Sequence, residues 1–300
     1  MASNQSPDGS GLVTGAVPQA PFEGKSALIF GGGRNIGRAI ALEFARRGAR
    51  VAVADIDVAG AEETAQMIVS AGGQATGLRC DVASDESVPQ AAAAAEARFG
   101  DIDIVMNNAG VLHSGHPEDI PMEEWQRMFN INFMAIVRSS RYFIPKMIAR
   151  GQGYIVNTAS FAGLYPYAVN RIPYAASKAA IVSLSENFAI YLLPKGIRVS
   201  CLCPGPIMTT SIDGMKTFTA DVVMRGPGKH LHVKSQADAA RALADGMRDG
   251  RIIIPTHEEG LETVRELGTS IDGFIHRRIE EFASGDSGRP QFDRAVALRP

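Results

Sequence analysis

The sequence predicts a doubly wound α/β fold, a parallel sheet with helices on both faces. Short β-branched runs alternate with helical patterns, as parallel strands joined by right-handed crossovers require. The strand-like runs are apolar without a period of two, which suits strands buried on both faces. A glycine-rich turn leads straight from the first run into the first helical pattern.

Strands are predicted at Ser26–Phe30, Arg50–Ala54, Gln74–Arg79, Ile104–Asn107, Gly153–Thr158, Arg198–Cys203 and Arg251–Ile254. Between them, Ile36–Arg47 carries Ile36, Ile40 and Phe44 at helical spacing, and Ala59–Ala71 is similar. Ser84 with Asp85 and Glu86 reads as the N-cap and acidic first turn of a helix reaching Phe99. Long helices are expected at Met122–Ala149 and Tyr174–Leu193. Ser235 caps a helix carrying Ala240, Leu243 and Met247, and Glu258–Phe282 forms one more, a helical C-terminal extension. The expected organisation is one domain over residues 23–283, with a flexible Gly/Ser/Pro-rich tail at 1–22 and an irregular tail at 284–300. Asp213–Lys234 has weak periodicity, three glycines and a proline. It lies beyond the carboxyl end of a late strand, where ligands bind in this topology, so a lid is expected over about 213–234.

Composition excludes several classes. The 300 residues hold 30 Lys and Arg against 32 Asp and Glu, a net charge of −2. Nothing there attracts nucleic acid or an anionic membrane, and 7% aromatics argue against base stacking. Cys80, Cys201 and Cys203 fall inside apolar runs, as buried free thiols of a reducing compartment do, and Cys-x-Cys without His or Cys nearby is no metal site. The first 22 residues lack the charged and apolar regions of a signal peptide, and no apolar run reaches the roughly 18 residues that span a bilayer. A soluble cytoplasmic protein acting on a small molecule is expected.

The turn Phe30-Gly31-Gly32-Gly33-Arg34-Asn35-Ile36-Gly37 allows the backbone of Gly31, Arg34, Asn35 and Ile36 to approach a pyrophosphate at a helix N-terminus. Asp55 ends the second strand, where a carboxylate accepts hydrogen bonds from adenosine ribose hydroxyls and repels a 2′-phosphate. This favours NAD over NADP, with Arg34 as an alternative partner for a 2′-phosphate. Asp81 and Val82 close the third strand, where Asp81 either bonds the adenine amino group or caps a helix. Asn108 follows the fourth and either lines the cofactor or satisfies loose strand-end backbone groups.

The sharpest chemical signal is Tyr174-Ala-Ala-Ser-Lys178. Tyr and Lys at i and i+4 share one helix face. A phenol ionises near pH 10 and is a poor base unless its anion is stabilised; a neighbouring ammonium does that. Ser160, at the end of the fifth strand, is placed to hydrogen-bond and orient a substrate hydroxyl. Each residue alone has a plain reading as a surface pair or a cap.

Together these residues and the glycine turn resemble the short-chain dehydrogenase/reductase family, over roughly Gly24 to Thr210. The resemblance implies a Rossmann-type dinucleotide-binding catalytic domain and a catalytic tetrad of Asn132, Ser160, Tyr174 and Lys178, with Asn130 as the rival Asn. It implies that Tyr174 exchanges a proton with the hydroxyl while hydride passes between carbinol carbon and nicotinamide. It also implies that Lys178 holds the nicotinamide ribose, that Ile207 and Thr209 hold the carboxamide, and that Asn132 positions a water. A homodimer or homotetramer packed through the two long helices is implied too. Several positions depart from the family pattern: Phe30 replaces Thr, Asn35 stands where Gly is commonest, Ala135 replaces a frequent Gly, and the gap of 14 from Ser160 to Tyr174 is one longer than common. Asn tolerates positive φ, so the turn survives. The C-terminal part departs most.

The expected activity is NAD-dependent oxidation of a hydrophobic secondary alcohol, or reduction of its ketone. Substrate contacts are expected from Leu112–Pro117, Phe161–Ile172 and the lid, although core packing explains Phe161-Ala-Gly-Leu-Tyr-Pro-Tyr-Ala nearly as well. His113 and His116 either touch substrate or lie at the solvated surface. The alternatives are an NADPH-dependent biosynthetic reductase using Arg34 and a non-catalytic dinucleotide-binding regulator.

Overall fold

Apolar runs with no polar alternation have no face to offer water, and the chain buries them at the centre of the sheet. The structure is a computed structural model and describes residues 21–210 and 215–290. Its strands are β1 (Ser26–Phe30), β2 (Arg50–Asp55), β3 (Ala75–Arg79), β4 (Ile104–Asn107), β5 (Gly153–Thr158), β6 (Ile197–Cys203) and β7 (Ile253–Pro255). All pair in parallel, in the order β3-β2-β1-β4-β5-β6-β7. The chain winds outward from β1 to β3, then returns to β4 on the other side. This places a topological switch point, and the crevice that goes with it, between β1 and β4.

The helices are α1 (Asn35–Arg46), α2 (Val58–Ser70), α3 (Ser87–Phe99), α4 (Met122–Phe129), α5 (Ala135–Arg150), α6 (Ile172–Leu192), α7 (Gln236–Arg248), α8 (Gly260–Thr269) and α9 (Ile271–Ala283). Ile29, Val51 and Val53 pack against Ile40 and Phe44 of α1 and Leu243 and Met247 of α7. Their strand neighbours Leu28, Ala52 and Val105 face the other way, onto Val88 and Ala92 of α3 and Phe143 and Met147 of α5. This is the doubly wound, Rossmann-type fold that the sequence predicts. Ser235 caps α7 as expected, its hydroxyl accepting the Asp238 N–H while the Asp238 carboxylate accepts the Ser235 N–H.

Most boundaries fall within two residues of expectation; a few elements differ for identifiable reasons. The helix expected over Met122–Ala149 is interrupted by a π-helical turn at Asn130–Met134, where Arg138 donates to both the Asn130 carbonyl and its side-chain oxygen. The helix expected over Glu258–Phe282 is two helices. Ser270 is extended (φ −158°) and its hydroxyl accepts the Gly273 N–H, restarting the chain as α9. Ser84 caps a turn just before α3, accepting the N–H groups of Glu86 and Ser87, so Asp85 and Glu86 precede that helix. Phe22, placed by sequence at the end of the N-terminal tail, is buried with its ring 4.8 Å from that of Phe44; residues 1–20 of that tail, 213 and 214 of the expected lid, and 291–300 lie outside the described residues. Among the described residues, no helix is long and apolar enough to cross a membrane.

A buried polar relay runs across the sheet. Ser139 of α5 donates to the Asn107 Oδ1 (2.6 Å), the Asn107 amide donates to Asn157 Oδ1 (2.9 Å), the Asn157 amide donates to the Ser185 hydroxyl of α6 (3.0 Å), and that hydroxyl donates to the Ile181 carbonyl (2.7 Å). Each member depends on the next, because an unpartnered polar group has no water to turn to. Asn157→Ala is expected to lower unfolding free energy by about 2–4 kcal/mol in urea denaturation, through a stranded Asn107 amide and a small void. A loss below about 0.5 kcal/mol would show that the relay contributes nothing.

Candidate active site

The crevice begins at the turn after β1. Gly31 has φ +79°, and a Cβ on it would sit 2.6 Å from the Ala109 backbone. A Cβ on Gly37 would lie 1.8 Å from the Gly31 carbonyl oxygen, so only hydrogen fits where α1 leaves the turn. Asn35 takes the left-handed conformation at φ +50°, as anticipated for Asn in place of Gly. Its side-chain oxygen accepts from the Thr210 N–H (3.1 Å) and hydroxyl (3.0 Å), tying this turn to the loop after β6.

Asp55 is anchored by the backbone: Oδ2 accepts the Gly33 N–H (2.9 Å) and Oδ1 the Asp57 N–H (3.1 Å). Arg34 is exposed at the start of α1, whose first turn has no side-chain cap, and Ile36 is half-buried there. Arg38, which the sequence reading passed over, holds the turn from behind, donating to the Gly33 carbonyl (2.7 Å) and the Thr64 hydroxyl (3.0 Å). Asp81 accepts the Ala83 N–H at 2.9 Å in its own turn, beside a buried Val82. The Asn108 amide donates to the Gly31 carbonyl at 2.8 Å while its oxygen accepts from Thr158, the strand-end role that was one of its two readings.

At the ends of β4 and β5 the polar groups converge. Asn132, 1% exposed in the π-helical turn, accepts the Val111 N–H (2.8 Å) and donates to the Val111 carbonyl (3.0 Å) and the Ser177 hydroxyl (3.0 Å). Asn130 is turned away and held by Arg138, so the geometry brings Asn132 rather than its rival to the site. Lys178, 3% exposed, donates to the Thr158 carbonyl at 2.8 Å. Gly110 lies between them: a Cβ there would stand 3.4 Å from Asn132 Oδ1 and 3.5 Å from Lys178 Nζ. The Lys178 Nζ is 5.6 Å from the Tyr174 ring centroid. Ser160 caps a short turn through the Ala162 N–H (3.2 Å).

The electrostatics differ from the sequence expectation. Burial pushes the Tyr174 phenol up, with Ser160 and Arg171 working against that rise. Burial brings Lys178 down from 10.5 to about 8, and the thiols of Cys201 and Cys203 pull the other way. The net direction for Tyr174 is therefore upward, and the opposing cation is Arg171, which the sequence reading did not single out.

The loop after β6 is held from three sides. The Gly205 N–H donates to the Thr256 hydroxyl (2.9 Å), the Met208 N–H to the Lys234 carbonyl (2.9 Å), and the Phe161 N–H to the Pro204 carbonyl (2.9 Å). Ile207 and Thr209 sit half-buried within it. Of the expected substrate contacts, Phe161 and Tyr165 belong to the core, whereas Val169 and Ile172 are exposed. His113 is neither solvated nor paired. It is 0% exposed, both ring nitrogens lack partners, and Phe218 meets it edge-on at 5.2 Å. His116 is exposed. Residues 284–290 bond back to the 225–229 segment, the Gly226 and Gly228 N–H groups donating to the Ser287 and Gly288 carbonyls.

Known proteins resemble this chain in sequence and in fold. The family model of the short chain dehydrogenases matches residues 25–218. An uncharacterised oxidoreductase of Thermotoga maritima is 38% identical over 246 residues, 77% of this chain and 96% of its own length. A cyclohexanol dehydrogenase of Acinetobacter sp. is 36% identical over 192 residues, 64% of this chain and 76% of its own. The crystal structure of a short chain dehydrogenase/reductase from Burkholderia phymatum, in complex with NAD, matches with a TM-score of 0.74 at 30% identity, covering 84% of this chain and 95% of that one.

A desolvated ammonium leaves a mark on stability. Between about pH 8 and 10.5 the unfolded chain binds more protons at Lys178 than the folded one, so this group makes stability rise with pH across that window. Comparing wild type with Lys178→Met by urea denaturation, the difference is expected to move in favour of wild type from pH 8 to pH 10. A difference that stays flat would show that the ammonium is not desolvated.

Proposed function

Because the chain belongs to the short-chain dehydrogenase/reductase family, we propose that this oxidoreductase moves hydride between a hydrophobic secondary alcohol, or its ketone, and NAD. The observation that carries the reading is the convergence of Asn132, Ser160, Tyr174 and Lys178 at one sheet edge, beside the glycine turn. A plain dinucleotide sensor needs the turn but not this set.

The residues present fit a dinucleotide. The turn is cleared of Cβ atoms at Gly31 and Gly37, and α1 opens with no side-chain cap over its first amides, which leaves them to a pyrophosphate. Asp55, steadied by two backbone N–H groups, would take the adenosine ribose hydroxyls and oppose a 2′-phosphate. Asp81 and Val82 would border the adenine. Asn108 supports the turn, Lys178 would reach the nicotinamide ribose, and Ile207 and Thr209 would hold the carboxamide. Bound there, NAD supplies a nicotinamide carbon that accepts or returns hydride.

The chain's own residues handle the proton. In oxidation the alcohol O–H gives its proton to the Tyr174 phenolate oxygen while the carbinol C–H leaves as hydride, and a ketone remains. Ser160 holds the reacting oxygen, and Asn132 positions a water that links Lys178 to solvent. Exposed Val169 and Ile172, with the 213–234 segment as a lid, support an apolar substrate. The relationship to a cyclohexanol dehydrogenase points the same way. Ile190, 75% exposed, with Tyr191 and, just past its end, Leu193, gives the end of α6 an apolar patch suited to a homodimer, and the buried unpaired cysteines suit the cytoplasm.

Tyr174→Phe is expected to lose at least ~100-fold in turnover of cyclohexanol and related carbinols, followed at 340 nm, while NAD binding by fluorescence stays within about threefold. Full turnover in that variant would remove Tyr174 from the chemistry. Asp55→Asn is expected to raise the NADP-to-NAD ratio of kcat/KM by roughly tenfold, since an opposed charge is removed. An unchanged ratio would assign the choice to Arg34 instead.

A further inference from the structure

The loop between Ser160 and Tyr174 carries two residues that the proposed chemistry leaves unused. Tyr167 is buried, its ring 5.5 Å from that of Tyr165, and the Ser160 hydroxyl works against the effect of burial on its phenol as it does for Tyr174. Arg171 stands at the start of α6, its carbonyl accepting the Ala175 N–H, so it occupies the turn that presents Tyr174. Its guanidinium lies 5.8 Å from the Tyr167 ring centroid. Among the described residues it makes no salt bridge with a carboxylate.

What holds Arg171 is a carbonyl: a terminal nitrogen donates to the Arg225 oxygen at 2.8 Å. Arg225 is fixed in turn, donating to the Asp286 carbonyl (2.9 Å) and the Phe282 carbonyl (3.3 Å), with its guanidinium 4.6 Å from the Phe282 ring centroid. A cation paired to a neutral oxygen keeps its field, whereas one paired to a carboxylate is largely cancelled. The Tyr167 ring is within its reach, and Tyr174 follows three residues on in the first turn of α6.

We propose that Arg171 is a positioning residue for proton transfer, a cation that Arg225, itself tied to the C-terminal extension, holds beside Tyr167 and Tyr174 so that its field stabilises the Tyr174 phenolate. This rests on the reading of Tyr174 as the proton-transfer group. The titratable groups around Tyr174 are Tyr167 and Arg171 on its loop side and Lys178 on its own helix, with Cys201 and Cys203 of β6 behind Lys178. Arg171 opposes the burial of both phenols, of which Tyr167 is pushed up to about 12. Arg171 gives and takes no proton itself.

The test uses the full chain without substrate or cofactor. Ionised tyrosine absorbs near 295 nm, and subtracting the titration of Tyr174→Phe from that of wild type isolates the Tyr174 step. Repeated in an Arg171→Gln background, the step is expected about one pH unit higher, and in Arg171→Lys close to wild type. Arg171→Met, which keeps an apolar stem, carries the same comparison where the Gln variant does not fold. A step at the same pH with and without the cation overturns the proposal, as does a Lys variant that behaves like Gln. Retained turnover in Tyr174→Phe would instead overturn the reading of Tyr174, leaving the titration as a measure of the field alone.

Discussion

Where a parallel strand ends, its last carbonyls and the amides that follow have lost their ladder partners, and a buried group of this kind must find another. The carboxyl edge of this sheet is organised by that requirement. The Ala54 carbonyl takes the Gly31 N–H at 2.7 Å and so closes the glycine turn. The Gly31 carbonyl takes the Asn108 amide, the Thr158 carbonyl takes the Lys178 ammonium, and the Pro204 carbonyl takes the Phe161 N–H. Asn108 and Lys178, which complete these strand ends, are thus also groups of the candidate site, and this ties the site to the carboxyl edge of the sheet.

Satisfying those carbonyls with side chains has an energetic consequence. Lys178 is brought out of water to reach one neutral oxygen, and its ammonium is weakened to about 8 as a result. The Asn107–Asn157 relay beneath it fastens α5 and α6 to the same two strands. A helix held this firmly presents Tyr174 and Lys178 with little freedom to relax, so their electrostatics are set by what surrounds them.

The parts that were legible in the sequence are those with a local signature. Apolar runs marked the strands, glycines and Asp55 marked the turn, and the i, i+4 spacing placed Tyr174 and Lys178 on one face. The left-handed Asn35 followed from a property of Asn itself. The illegible parts depend on contacts between distant segments. Arg138 reaches back to Asn130 at the π-helical turn that divides one predicted helix into two, and the Gly226 N–H bond to the Ser287 carbonyl ties two irregular stretches that carry no periodic pattern. His113 was equivocal because a loop histidine says nothing about being covered; Phe218, about a hundred residues away, covers it.

Arg171 belongs to the same illegible class, and its case shows what the C-terminal extension adds. Burial of a phenol and burial of an ammonium each favour the neutral form, so burial of the Tyr174–Lys178 pair opposes the phenolate that takes the proton. The first turn of α6 offers a partial positive charge at Tyr174, which is small beside a full cation. A guanidinium on that turn is stronger, provided it stays unpaired and in place. The Arg225 carbonyl, itself fixed by Phe282 and Asp286, meets both conditions. The C-terminal extension therefore acts at the tyrosine only through Arg225, whose carbonyl holds the charge there.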